Sequence, residues 1–572
     1  MNAPASIEPI HHSMLVSEIS RTHPQCRPVF EKYGIAGCGG EFGPPEPLFL
    51  FAAAHRIALP GLVEELNRAA RGEWKDDSAG KARAAEADAA RQSETLYKRF
   101  VFGSLLVALT AGFGLGVVNL TRIAMEQSYY AISGVLKQVH GHAQIFGWVG
   151  LFVIGVSLHA VPRLKMTALR PVWAARWCFG LMLGGVFLRV FSQPWARNPV
   201  AAGAMVVSAV MELAAIGLFV WQIARVSLGS KQKAEFYEKY IWASVGWLAV
   251  LGVWNLWIVL EMARHRSVGV PALQDALWIH AAFFGFIANM IFGFSLRVLP
   301  HFLGLRDSKV FPANAAFVLW NTAILLRYPV EELAWWASAL EAAAIGLFLW
   351  SLGIFARRRA KIEIKGVDRS FAWFIYLAYG WLLVAAVLPF HADVFRLSAS
   401  ARHTMALGFV TPMIFGVAYR VLPIFNGVNL WSPRLMRASF WCLALGSTLA
   451  FSMAVNKVFE TPGSYAWSAA MGFLVLAALG MFALNLVMTL RTTAEPYTRG
   501  STVTAATRVT ELLEANPGLR PVLIHNGLAG LAAAGHSPPR FVTIEFAARR
   551  HGIDPGPLVR ALNEEIQRRP VR

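Results

Sequence analysis

Runs of about 20 apolar residues leave a chain little choice of fold, because inside lipid only helices and closed barrels satisfy their own backbone. Such runs lie near residues 100–120, 139–162, 171–192, 199–224, 241–262, 278–300, 312–328, 333–356, 370–390, 402–424, 434–455 and 465–490. Short segments rich in Pro, Gly and Arg join them, so the chain is expected to be an all-α polytopic membrane protein with twelve transmembrane helices, neighbours running antiparallel. An even number places both termini on one side. The basic stretches "RRRAKIEIKGVDR" (357–369) and "KQKAEFYEK" (231–239) fall on that side, as do the basic turns after the second, sixth and tenth runs. "YPVEELA" (328–334), on the opposite face, has no Lys or Arg. The positive-inside rule then predicts cytoplasmic termini. It also accounts for the net charge of +19, so no nucleic-acid partner is expected and the medium of the chain is membrane lipid. The first ninety-odd residues are polar with no cleavable leader, which leaves the first apolar run as the expected insertion signal.

Within this frame one pattern occurs three times without a gap. H-x4-G-x7-G-x6-P reads His142, Gly147, Gly155, Pro162 in the second run, His280, Gly285, Gly293, Pro300 in the sixth, and His403, Gly408, Gly416, Pro423 in the tenth. "RVLP" closes both later copies, whereas the first ends in "HAVP". "ELAAIGLFVW" (212–221) in the fourth run and "EAAAIGLFLW" (341–350) in the eighth agree at eight of ten positions. The twelfth keeps only "AALGMF" (477–482) and has Val475 at the glutamate position. Three four-helix repeats are the expected architecture.

The ends carry a second duplication. "HPQCRPVFEKYGIAGCGG" (23–40) is similar to "NPGLRPVLIHNGLAGLAA" (516–533), and "HRIALPGLVEELN" (55–67) to "HGIDPGPLVRALN" (551–563). The expected domains are therefore a small soluble helical domain over 1–70, a mixed-charge helical linker over 71–98, the membrane domain over 99–492 and a second small helical domain over 500–572. Four cysteines are too few for a disulfide framework. Cys178 and Cys442 fall inside apolar runs and read as buried thiols, and Cys26 and Cys38 occur only in the first terminal copy.

Each repeat histidine precedes its proline by ~30 Å of helix at 1.5 Å per residue, about one hydrocarbon thickness. Under the assigned topology His142, His280 and His403 share one depth near the outer face. Imidazoles in a dry bundle are ligands for haem iron or copper, or they cap a helix or bond a carbonyl, as any single histidine does. His140 lies two residues before His142, about 200° around a helix, so both do not reach one ion; one faces the bundle and the other the outer loop. His391 is a weaker candidate ligand at the outer end of the ninth run. His159, His301, Arg163, Arg297 and Arg420 are expected at the inner interface. Glu212 and Glu341 are charges inside apolar runs and default to a functional role: proton or charge relay, cation ligand, or partner of an arginine. Arg189 and Arg327, one per unit at outer helix ends, either pair with those glutamates or fork onto the carboxylates of a porphyrin.

These residues bring families into view. "HAQIFGWVGLFVIGVSLHAVPR" (142–163) and the three His-bearing runs resemble the NnrS family of haem- and copper-containing membrane proteins linked to the nitric oxide response, over roughly residues 98–492. The arrangement is also similar to subunit I of haem-copper oxidases and nitric oxide reductases. That resemblance implies His142 and His403 as axial haem ligands and His280 as a copper ligand, in a bacterial inner membrane. The seventh run, "PANAAFVLWNTAILLRYP" (312–329), contains no histidine where the oxidases carry a pair. A standard binuclear centre is therefore not assembled, and oxygen reduction is not expected. The terminal domains resemble the small domain at the front of ScdA-type iron–sulfur repair proteins, through "YGIAGCGG" (33–40), which implies redox or nitric oxide chemistry at Cys38.

The expected function is a haem-containing, and by resemblance copper-containing, membrane protein that senses or helps remove nitric oxide, with an electron donor the sequence does not name. A transporter of a small anion or metal built on Glu212 and Glu341, and a haem sensor signalling to the terminal domains, are the alternatives.

Overall fold

The computed structural model describes residues 9–33, 47–55, 57–74, 95–128, 130–327, 333–356, 367–388, 402–459, 464–491, 495, 497, 500–528, 531 and 542–568. Among them all regular structure is helical, and β-structure is limited to isolated bridges. The amino-terminal part carries α1 (Val16–Thr22), α2 (Arg27–Lys32), α3 (Leu48–His55) and α4 (Leu59–Ala70). The long helices are α5 (Leu96–Glu126), α6 (Gly134–Leu164), α7 (Val172–Trp195), α8 (Pro199–Leu228), α9 (Glu238–Arg264), α10 (Ala272–Leu303), α11 (Val310–Leu326), α12 (Trp335–Leu352), α13 (Phe371–Val387), α14 (Thr404–Asn426), α15 (Pro433–Phe459) and α16 (Tyr465–Arg491). The carboxy-terminal part carries α17 (Val509–Ala515), α18 (Arg520–His525), α19 (Ile544–Arg550) and α20 (Pro555–Arg568).

Nine of these helices are long and apolar enough to cross a membrane among the described residues, so the chain is an all-helical membrane protein. The other three of the twelve apolar runs hold α11 and α13, which are apolar but shorter, and α15.

The three helices bearing the repeat form the interior. The apolar windows of α6, α10 and α14 are 83%, 72% and 83% buried, whereas those of the other six candidate spans are 39–50% buried. They also touch one another. Trp278 of α10 packs on Phe146 of α6 at 5.3 Å, and Phe292 of α10 lies 6.2 Å from Phe409 of α14. At the proline end, His159 of α6 and Phe425 of α14 have ring centroids 4.1 Å apart. Exposed Trp, Phe and Leu side chains instead crowd the outer helices, as expected where the surrounding solvent is lipid.

The repeat glycines explain how this interior closes. A Cβ on Gly147 would stand 2.4 Å from Val107, and one on Gly155 would stand 2.2 Å from Phe100, both on α5. In the later copies the same two positions press against Trp247 and Ile241 of α9, then Trp381 and Ile375 of α13. Each pair of glycines is thus the groove into which the preceding helix sinks, the close approach that small residues permit in membranes. The prolines stand in the last turns of their helices rather than ending them, and the Leu296 carbonyl, which Pro300 deprives of its partner, accepts from Ser308 Oγ at 3.1 Å.

The terminal parts have separate apolar clusters, one running from Ile10 to Ala70 and one from Tyr497 to Leu562. Their duplicated sequences adopt the same local structure. In both, a 3₁₀ turn (Pro24–Cys26 and Pro517–Leu519) feeds a short α-helix. In both, the closing asparagine clamps a distant backbone. Asn67 accepts from the Ile10 N–H and donates to its carbonyl at 2.9 and 3.0 Å, and Asn563 does so with Val503 at 2.8 and 2.9 Å.

Substituting Gly155 by Ala is expected to cost about 1–3 kcal/mol, the range for overpacking a tight contact. Gly180→Ala, where a Cβ meets nothing within 4 Å, is expected to be neutral or slightly stabilising. Unfolding of the two variants in detergent measures the difference.

Candidate functional site

The buried glutamates meet the repeat histidines. His142 Nε2 lies 2.8 Å from Glu212 Oε1, and the second oxygen, Oε2, accepts from Asn255 Nδ2 at 2.8 Å. Glu212 is 0% exposed and His142 6%. Gly185 of α7 makes the room, since a Cβ there would come within 2.7 Å of the Glu212 side chain. The His142 ring also stacks on Trp278 with centroids 6.1 Å apart. In the second copy His280 Nε2 lies 3.2 Å from Glu341 Oε1, in a geometry short of a hydrogen bond. There the second carboxylate oxygen takes a charged partner: Arg327 Nη2 donates to Glu341 Oε2 at 3.0 Å and to Ser338 Oγ at 3.0 Å. A carboxylate this deep is stabilised by hydrogen bonds and by nearby positive charge: Glu212 has a hydrogen-bond contact on each oxygen, and Glu341 has the charged partner on one.

Arg327 therefore answers one expectation, pairing with its glutamate. Arg189 does not do the same. Its Nε donates to Gln193 Oε1 at 2.9 Å and its Nη2 approaches Met262 Sδ at 3.8 Å, while Glu212 and Asp275 act on it from farther away. Asn255, a lone amide inside the apolar stretch "WNLW", occupies the place on Glu212 that Arg327 has on Glu341. Sequence reasoning passed over it, although a single amide in an apolar helix was the available signal.

His140 faces another way. Its Nδ1 lies 2.9 Å from the Gly112 carbonyl on α5. A carbonyl only accepts, so Nδ1 carries the proton and Nε2 keeps the lone pair. That arrangement fixes tautomer and ring orientation, as in histidines that ligate metals. Gly112 closes a π-helical segment, Ala108–Gly112, whose wider turn leaves carbonyls available. Gly116, one turn further, accommodates the imidazole, because a Cβ there would stand 2.8 Å from His140 Cε1.

His140 and His403 lie within electrostatic reach of one another, joining α6 to the start of α14. Beside them Arg402 and Asp275 form an ion pair at 3.7 Å between α14 and α10. The third copy has no glutamate to offer His403, since Val475 stands at that position on α16 and is 2% exposed. Glutamates thus stand beside two of the repeat histidines, and His140 lies within electrostatic reach of the third, His403.

One further regularity escaped the sequence. Immediately after each repeat histidine the backbone passes into a π-helical segment: Ala143–Gly150, Ala281–Ala288 and Thr404–Val410. Such segments re-aim side chains at functional positions. Their presence at one register in all three helices sets the histidines apart from the straight helix below.

The remaining candidates divide. His391 and Cys38 lie outside the described residues. No group of three or more His, Cys, Asp or Glu side chains with metal-holding geometry occurs among the described residues. His159 and Arg420, expected at a wet interface, are 4% and 2% exposed. Arg163 and Arg297 make short contacts on their own helices, to the His159 carbonyl and His301 Nε2, each at 2.8 Å. Cys26 is buried, its Sγ donating to the Leu66 carbonyl at 3.1 Å, and burial pushes its thiol up to about 12. Leu519 stands in its place in the second terminal copy and is also buried, so Cys26 fills a core position.

An all-helical membrane protein whose interior holds buried histidine–glutamate pairs is the class these observations define. A family model described as NnrS protein matches residues 100–493, and the chain belongs to the NnrS family. Membership points to a role in the nitric oxide response. No curated protein matches the chain.

A double-mutant cycle on His142→Leu and Glu212→Leu is expected to give a coupling of roughly 0.5–3 kcal/mol, read by unfolding in detergent, whereas His140→Leu with Glu212→Leu is expected to be additive. Only the thiolate is nucleophilic, so Cys26 is expected to resist alkylation in the folded chain from pH 7 to 9 and to react once the chain is unfolded. Mass spectrometry of the 1–70 peptides reads that difference.

Proposed function

We propose that the chain is a haem-binding membrane protein that senses or helps remove nitric oxide, with His140 and His403 as its ligand pair. The observation that supports this reading is the asymmetry of the repeats: Glu212 and Glu341 stand beside His142 and His280, while His140, its tautomer set by Gly112, lies within electrostatic reach of His403. Two imidazoles brought together from different helices in a dry bundle match the donor set of a low-spin haem. Bound there, a haem supplies an iron that exchanges an electron or responds to nitric oxide. The protein's own part is to hold His140 Nδ1 protonated against Gly112, to keep water out with Trp278 and Phe146, and to store a proton between His142 Nε2 and Glu212 Oε1. Arg189 Nη1, buried without a hydrogen-bond partner among the described residues, is a donor for a carboxylate of the porphyrin. Copper remains a proposal at His280, where Glu341 would be one further donor and additional ligands would be needed.

The membrane domain in this reading has twelve spans in three four-helix units, with both termini in the cytoplasm of a bacterial inner membrane. The recurring glycine grooves and the three interior helices support the unit. A reporter fused at Arg572 is expected to be cytoplasmic, and one inserted within residues 328–332 to be external.

Purified protein is expected to show a Soret band that shifts with nitric oxide. His140→Ala and His403→Ala are each expected to abolish or strongly reduce it, and His142→Ala to keep at least half of it. A band lost with His142→Ala and kept with His140→Ala would overturn the ligand assignment. Absence of haem from protein purified out of a haem-replete host would overturn the function.

A further inference from the structure

At the proline end of the interior, opposite the histidines, lies a second group of charges that the proposed function does not use. Arg420 on α14 is 2% exposed, and both its Nε and Nη2 are buried without a hydrogen-bond partner. Those two N–H groups are the side-on edge of the guanidinium, the fork that receives an oxyanion with two parallel bonds. The plane of the group is held rather than neutralised: Phe302 of α10 and Phe371 of α13 lie 5.1 and 6.0 Å from Arg420 Cζ.

The equivalent arginine of the second copy, Arg297, reaches His301 four residues on, but in the third copy that position is Ile424, so Arg420 has no such partner. A cation of the carboxy-terminal part lies within electrostatic reach of it. Arg550, the last residue of α19 in the carboxy-terminal part, acts on Arg420 through space. Its Nε and Nη1 are also buried without partners, and its guanidinium lies over Phe546 at 5.1 Å. Burial lowers the Arg550 guanidinium to about 10, and no carboxylate among the described residues pairs with either arginine. Cations taken out of water within reach of one another repel and lose hydration. Arg420 Nε and Nη2 and Arg550 Nε and Nη1 are buried donor atoms with no hydrogen-bond partner among the described residues.

We propose that Arg420 and Arg550 form a binding site for a phosphate-type oxyanion, which clamps the carboxy-terminal helices onto the interior helix α14. The anion takes the side-on fork of Arg420 and the donors of Arg550, and its negative charge turns a repulsive contact into an attractive one. The same chemistry is available from free phosphate or from the headgroup of an acidic phospholipid. Helix α14 is also the helix that begins at His403, so occupancy of this site fixes the far end of a helix in the proposed haem-binding pair.

The test uses the full-length protein in detergent. Inorganic phosphate, against chloride at matched ionic strength, is expected to raise its unfolding temperature by a few degrees. Arg420→Gln and Arg550→Gln are expected to abolish that rise, and Arg420→Lys, which keeps charge without the fork, to lose most of it. Arg560→Gln, at an exposed position of α20, is expected to retain it. Nanodiscs with and without phosphatidic acid distinguish the sources: stabilisation by the acidic lipid but not by phosphate, lost in the same two variants, assigns the anion to a headgroup. The proposal is overturned if neither phosphate nor acidic lipid stabilises the wild type, or if both variants are stabilised as much as the wild type. It is equally overturned if Arg420→Gln is the more stable protein at every anion concentration. Native mass spectrometry of Arg550→Gln, whose change lies outside the membrane helices, separates loss of the bound anion from loss of the fold.

Discussion

Polar groups in the interior of this bundle must satisfy one another, because lipid offers them no partner. The pairing of a repeat histidine with a glutamate two helices further along the chain is where that requirement is met most directly. It fixes α6 to α8 through His142 and Glu212, and brings α10 to α12 through His280 and Glu341. It also engages His142 Nε2 and sets a carboxylate oxygen 3.2 Å from His280 Nε2.

Duplication explains the supply of these groups, and divergence explains their use. Three copies of one pattern supply three histidines at one register, each followed by a π-helical segment and each served by glycine grooves. Copies of equal sequence would be equivalent. They are not, because a valine replaces the third glutamate and the first copy alone carries the extra His140. Those two departures make the copies unlike where symmetry would give three like sites. The opposite end diverges in the same manner: Arg297 keeps a helical partner in His301, and Arg420 does not.

Much of the fold was legible because membrane insertion writes itself in long apolar windows, and the repeat spacing located the three interior helices, with starts off by up to six residues and ends by up to three. The glycines and the glutamates were recognisable as pattern, and Glu212 and Glu341 were rightly singled out as buried charges. Which imidazole faces which neighbour was not legible. On an ideal helix a step of two residues turns about 200°, which identifies that His140 and His142 diverge but not which of them looks inward. The π-helical backbone beyond His142 and the carbonyl of Gly112 enter that choice, and neither has a one-residue signature. Arg420 and His159 were placed at the interface from their position near helix ends; their burial depends on Phe302, Phe425 and Tyr97 folding over them from other helices.

The central claim concerns one nitrogen, Nε2 of His140. A cryo-EM map of the full-length protein purified from a haem-replete host tests it most directly. The account predicts planar density held between His140 and His403, with His140 Nδ1 still on the Gly112 carbonyl and His142 still on Glu212. Density bound instead to His142, with Glu212 released from it, would contradict the account.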